Sequence, residues 1–246
     1  MGTCTRAPRE RPITITTTCT EIAVERGRVA VLRRSPRLAP QILSRGEVIR
    51  AALVPVQAGP LDGDHDRIRL HVGPGATLEM VPIAATLALP GRSRLDLEIS
   101  VDRGGRLILE EPPLIVAERA DVVRRVRIAL AEDAVVAMRD VVVLGRAGEG
   151  PGRLDSVMRA TLAGTPLLHD ALRIEPAADD AYVALPPGHR VIGTACLLGA
   201  PGEPALAGPG ALRRASGPDL PAVQAALQPF SIGTPTRLPH SVHESS

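Results

Sequence analysis

The densest run of chemistry-bearing side chains in the 246-residue chain is Asp62-Gly63-Asp64-His65-Asp66. Carboxylates at alternate positions suit hard divalent cations, so the run could form a calcium or magnesium loop. With an imidazole beside them, Asp62, Asp64 and His65 could also serve a hydrolytic centre on a β-scaffold. The calcium-loop template asks for Gly where Arg67 stands and Glu where Gly73 stands, and it fails at both. Asp and Gly are the residues of turns, and a carboxylate-rich turn entering a strand is the favoured reading. Glu110-Glu111 adds two carboxylates at the end of an apolar strand, where adjacent residues point apart and cooperate poorly as acid and base.

Other catalytic patterns are missing. No Ser sits in a Gly-x-Ser-x-Gly elbow, and Cys196 lies in an apolar run, as a small buried hydrophobe does. The glycine-rich stretch Gly145-Arg146-Ala147-Gly148-Glu149-Gly150-Pro151-Gly152 lacks the Lys-Ser/Thr of a phosphate loop and reads as a turn. Arg146 and Glu149 either pair across it or protrude toward a partner. Cys4, Cys19 and Cys196 share no C-x-x-C spacing, which argues against a disulfide framework and a structural zinc.

The elements that must position these residues are strands. Arg67 to Val72 alternates basic and apolar residues, turns at Gly73-Pro74-Gly75 and returns from Thr77 to Val81. Leu95 to Val101 does the same around Asp102 to Gly105, Val126 to Leu130 around Ala131 to Asp133, and Val157 to Leu162 around Ala163 to Pro166. The strand ends Val72, Val101, Leu130 and Leu162 recur every ~30 residues, within the range of stacked repeat units. The expected fold is mainly β: elongated, coiled or stacked antiparallel β-hairpins, β-solenoid-like, with one or two short helices.

Around that core, residues 1–19 read as a disordered leader and 20–200 as a single all-β domain. Ile22 to Leu32 is expected to be an entry hairpin, Ile115 to Arg125 either helix or strand, and Arg190 to Leu198 a late strand. The segment 201–246 is Gly/Pro/Ala-rich, with Gly199 to Gly217 expected as loop, a short helix near 219–228 capped by Asp219, and a disordered tail.

Composition narrows the function classes. One Tyr, one Phe and no Trp remove the stacking platforms that single-stranded nucleic acids and sugars require. A net charge of +2, with acidic and basic residues interleaved, gives no nucleic-acid stripe. No apolar run reaches the length of a membrane span, so neither nucleic acid nor membrane is an expected partner and the cytoplasm is the expected compartment.

Five short motifs, in order, resemble the urease accessory protein family UreD, also called UreH. They are Gly63-Asp64, Val72-Gly73-Pro74-Gly75-Ala76, Ala84-Ala85-Thr86, Gly104-Gly105-Arg106-Leu107 leading to Pro113-Leu114-Ile115, and Leu144-Gly145-Arg146 with Gly148-Glu149. They span roughly residues 22 to 200. The chain departs from the family at Ile83 and Leu87, where Gln and Lys are usual, and at Leu109, where Trp is usual. The resemblance implies a non-enzymatic scaffold that binds UreF and acts with the GTPase UreG on apo-urease subunits during nickel delivery. It implies no tightly bound cofactor, with nickel at most in transit, and no catalytic residue. The motif residues it marks for partner contact are Gly63, Asp64, Gly145, Arg146 and Glu149; any metal ligands stay unassigned.

Overall fold

The computed structural model describes residues 16–176, 185–228 and 230. The assigned leader lies outside them up to residue 15, and its last residues, 16–19, already belong to a strand. The chain opens with two antiparallel hairpins, β1 (Thr16–Glu25) with β2 (Arg28–Arg33) and β3 (Leu38–Ser44) with β4 (Ile49–Pro55). The repeating part follows as β5 (Asp64–Val72), β6 (Thr77–Met80), β7 (Thr86–Ala88), β8 (Gly91–Val101), β9 (Arg106–Glu110), β10 (Leu114–Val116), β11 (Ala120–Leu130) and β12 (Val135–Leu144). It closes with β13 (Arg153–Leu162), β14 (Thr165–Ile174), β15 (Val191–Leu198), β16 (Gly210–Gly217) and the helix α1 (Leu220–Ala226).

These strands form two facing sheets. One has the order β14-β13-β11-β8-β5-β1-β2, the other β16-β15-β12-β9-β6-β4-β3, with β10 beside β12 and β7 beside β10. The fold is thus mainly β and coiled, as the period implies. The direction of pairing differs from the expected stack of antiparallel hairpins. β5 and β6, β8 and β9, and β11 and β12 do not pair with each other; each turn carries the chain from one sheet to the other. The hydrogen bonds run instead to the next coil, in parallel: β5 with β8, β8 with β11 and β11 with β13 on one side, β6 with β9 and β9 with β12 on the other. Only the fourth expected hairpin, β13 with β14, is one, closed by Ala163 and Gly164, both at positive φ as a tight two-residue turn requires.

The physical reason lies in the turns. Facing strands bury their apolar sides against each other across the sandwich, while each turn stacks on the one before it. Asp102 N–H donates to Val72 O and Ala131 N–H to Val101 O, and Val135 N–H donates to Gly105 O. A Cβ on Gly105 would sit 2.9 Å from Asp102 O and 3.1 Å from Gly73 O, so this column closes only around glycine. The period is read out directly: Val72 pairs with Val101, Val101 with Leu130 and Leu130 with Leu162.

Between the sheets lies one long core, in which Ile22, Leu70, Ile99 and Ile128 of the first sheet meet Leu78, Leu107 and Val136 of the second. Each such side chain contributes about 1.5–3 kcal/mol on burial. The ambiguous stretch after Ile115 is strand, in β10 and β11. The expected loop from Gly199 to Gly217 instead ends in β16, which pairs antiparallel with β15 along its full length. The α1 helix begins at the expected cap, Asp219 accepting from Ala222 N–H at 2.8 Å, and its Val223 and Leu227 cover Val191 and Ala195. The tail beyond 230 lies outside the described residues.

Candidate functional site

The carboxylates of the Asp62 to Asp66 run are each committed to the fold. Asp62 accepts from Arg92 N–H at 2.7 Å, and Asp64 accepts from Leu61 N–H at 2.5 Å and meets Arg37 Nη1 at 2.5 Å. Alternation along β5 turns Asp66 inward, where it is buried against Arg37 Nε at 2.8 Å and the Thr18 hydroxyl at 2.8 Å. His65 points outward to Asp96, with Nε2 2.8 Å from Oδ2. Burial pushes the Asp96 carboxyl up, but the hydrogen bonds from His65 and Arg94 outweigh it and hold the group below its usual range. Among the described residues, no group of three or more His, Cys, Asp and Glu side chains is placed to hold a metal ion.

Gly145, Arg146 and Glu149 lie at the turn after β12, at the rim opposite the stacked Gly105 column. Arg146 Nε reaches both Glu149 carboxylate oxygens at 2.8 Å, and this hydrogen bond holds the Glu149 carboxyl down at about 2. Gly145 takes φ 74°, and a Cβ there would strike Gly150 O and Glu149 O. Arg190, which sequence reading passed over, pins the turn by donating to Arg146 O at 2.7 Å and Glu149 O at 2.6 Å. Gly63 and Asp64 occupy the same rim earlier in the coil, where Gly63 N–H donates to Arg92 O. The five motif residues therefore share one rim as two separate turns, each closed by its own hydrogen bonds.

The polar chemistry that sequence reading missed is inside. Arg124 is 5% exposed and on the inward face of β11, between Val122 and Val126. Its Nη1 donates to Asp140 Oδ2 at 2.7 Å and to Ser156 Oγ at 3.3 Å, while Nη2 donates to Glu111. Burial alone would lower the Arg124 pKa, but the two carboxylates raise it further still, so the guanidinium stays charged. Burial pushes Glu111 up to about 7; Arg124 opposes that shift and the nearby Asp140 charge adds to it. One guanidinium answers two carboxylates here, and the Glu111 proton settles the excess near neutral pH. The signal was the parity of Arg124 and Asp140, both on the apolar side of their strands.

A cavity of about 250 Å³ connects the two buried charge clusters, with Arg37 and Asp66 toward one end, Glu111 and Arg124 toward the other, and apolar walls that include Ile68 and Leu97. None of Asp62, Asp64 and His65 lines it. Among the described residues, this arrangement brings no nucleophile, base and acid together. The class that the fold defines is a coiled two-sheet β-sandwich with charges committed inside and turns stacked along its rims.

The particular family follows from comparison. A family model described as UreD urease accessory protein matches residues 22–236. Urease accessory protein UreD 1 of Streptomyces griseus is 38% identical over 225 residues, 85% of this chain and 88% of that protein. UreD of Streptomyces coelicolor is 35% identical over 195 residues, 71% of this chain and 77% of its own length. UreD 1 of Saccharopolyspora erythraea is 41% identical over 147 residues, 57% of this chain and 56% of its own. The chain belongs to the UreD urease accessory protein family, and with it to helper proteins rather than enzymes.

Proposed function

We propose that the chain acts in the maturation of urease as a scaffold, binding UreF and, with the GTPase UreG, assisting nickel delivery to apo-urease in the cytoplasm. The observation that carries this reading is the UreD match across residues 22–236. The geometry is of the right kind. Paired charges and stacked turns hold two broad sheet faces in place, and preformed faces suit docking with little backbone movement. No helix among the described residues is long and apolar enough to cross a membrane. Among the described residues, nickel as cargo would find buried carboxylates at Asp66, Glu111 and Asp140, each now engaged by Arg37 or Arg124, and at Asp96, engaged by His65 and Arg94. A partner that displaces those groups would free them.

Co-expression tests the reading. With UreF from the same source the chain should co-purify as a stable complex, and its soluble yield should rise. Equal, monomeric yield with and without UreF would count against it. The competing reading, a hydrolase using Asp62, Asp64 and His65, needs two of those side chains in one pocket, and the cavity contains none of them.

A further inference from the structure

A recurring rule of the coils is that an arginine of one meets a carboxylate of the next. Arg50 meets Glu79, Arg69 meets Glu98 and Arg125 meets Asp155, each one coil apart. One row on the outer face of the parallel sheet departs from this rule. Its register runs Arg69, Glu98, Arg127, Arg159, His169 across β5, β8, β11, β13 and β14. Arg127 and Arg159 are side by side and both exposed, a like-charge pair that costs stability on a sheet. Glu98 faces Arg67, Arg69 and Arg127, at 3.7, 2.9 and 3.9 Å, Glu21 of β1 is the register partner of Arg69 on its other side, and no carboxylate reaches Arg159 among the described residues. Beside the row lies a shallow depression of about 730 Å³ whose floor carries the small side chains of Ser100, Ala129 and Thr161.

We propose that this row is a docking site for an extended, carboxylate-bearing segment of a partner protein. It rests on the scaffold reading and deepens it by naming the chemistry of one partner. Small side chains on the floor let a foreign backbone approach, and paired guanidiniums at about 4.8 Å strand spacing take a carboxylate bidentately. The row spans five strands, about 19 Å, which matches six residues or so of extended chain. Glu98 in mid-row repels a continuous polyanion, and the face offers no aromatic side chain for bases, so discrete carboxylates fit where a nucleic-acid strand does not.

The test uses a fluorescein-labelled octapeptide of alternating Ser and Glu, whose acidic side chains fall on one face when extended, followed by anisotropy with the full chain. Binding is expected to weaken about tenfold in the Arg127→Ser/Arg159→Ser variant, to tighten in Glu98→Gln, and to fall as salt rises from about 0.05 to about 0.3 M. Arg159→Ser alone should raise the urea midpoint, since it relieves the like-charge pair, which shows that lost binding is not lost folding. Equal binding by the double variant, equal binding of a Ser/Gln octapeptide, or tighter binding of an oligothymidylate would overturn the proposal. If the peptide fails while UreF still co-purifies, this row alone is refuted. Loss of UreF association by the unaltered chain refutes the scaffold reading instead.

Discussion

Replacing Arg124 with Met removes the cation that Glu111 and Asp140 share and leaves two carboxylates facing each other in the interior. Breaking a buried pair in this way costs about 3–5 kcal/mol. That is a large share of the roughly 5–15 kcal/mol available to a folded domain. Glu111→Gln should behave oppositely, because it turns a charge-unbalanced triad into a neutral Arg124–Asp140 pair. The pH dependence fixes the sign. The Glu111 carboxyl ionises near 4.5 in the unfolded chain and near 7 in the folded one, so between those values the folded state holds the extra proton. Stability from this group is therefore fullest below about pH 4.5 and is lost as pH rises through 7, by roughly 3 kcal/mol. Urea unfolding of the unaltered chain and Glu111→Gln across that window is the assay, and the difference between the two curves isolates the group. Parallel curves, or an Arg124→Met variant destabilised by less than about 1 kcal/mol, would refute the reasoning. The same Arg124→Met change in the Glu111→Gln background should cost visibly less.

Three further outcomes follow from particular contacts. Gly105→Ala should destabilise the chain by about 1–3 kcal/mol in urea titration, because its Cβ meets two backbone oxygens of the stacked turns. Cys196 is buried, and burial pushes its thiol up to about 12, so iodoacetamide at pH 8 should leave it unmodified in the native protein and label it after unfolding, as peptide mass mapping will show. Arg190→Ala removes the donor that holds three carbonyls around residues 144–149, and hydrogen exchange should quicken at that turn while the core strands keep their protection.

Much of the β architecture was legible because alternation survives along each strand, and Val72, Val101, Leu130 and Leu162 turn out to be register partners. Alternation tells which face a residue occupies and nothing about which strand lies beside it. The sheet-to-sheet turn at Gly73-Pro74-Gly75 therefore looked like a hairpin. β16 was hidden by its Gly and Ala content, since its pairing to β15 depends on a partner strand rather than on its own propensity. The interior charges were half legible. Arg124 and Asp140 stand on apolar faces in plain sight, but their meeting with Glu111 requires three segments to converge. His65 and Asp96 likewise meet only because one coil is about as long as their separation in sequence.

This chain serves urease maturation as a helper protein rather than an enzyme. The most direct measurement is the nickel content of urease purified from cells expressing the urease subunits with UreF and UreG, with or without this chain. Nickel-filled, active urease is expected only when the chain is present. Equal nickel loading in its absence would contradict it.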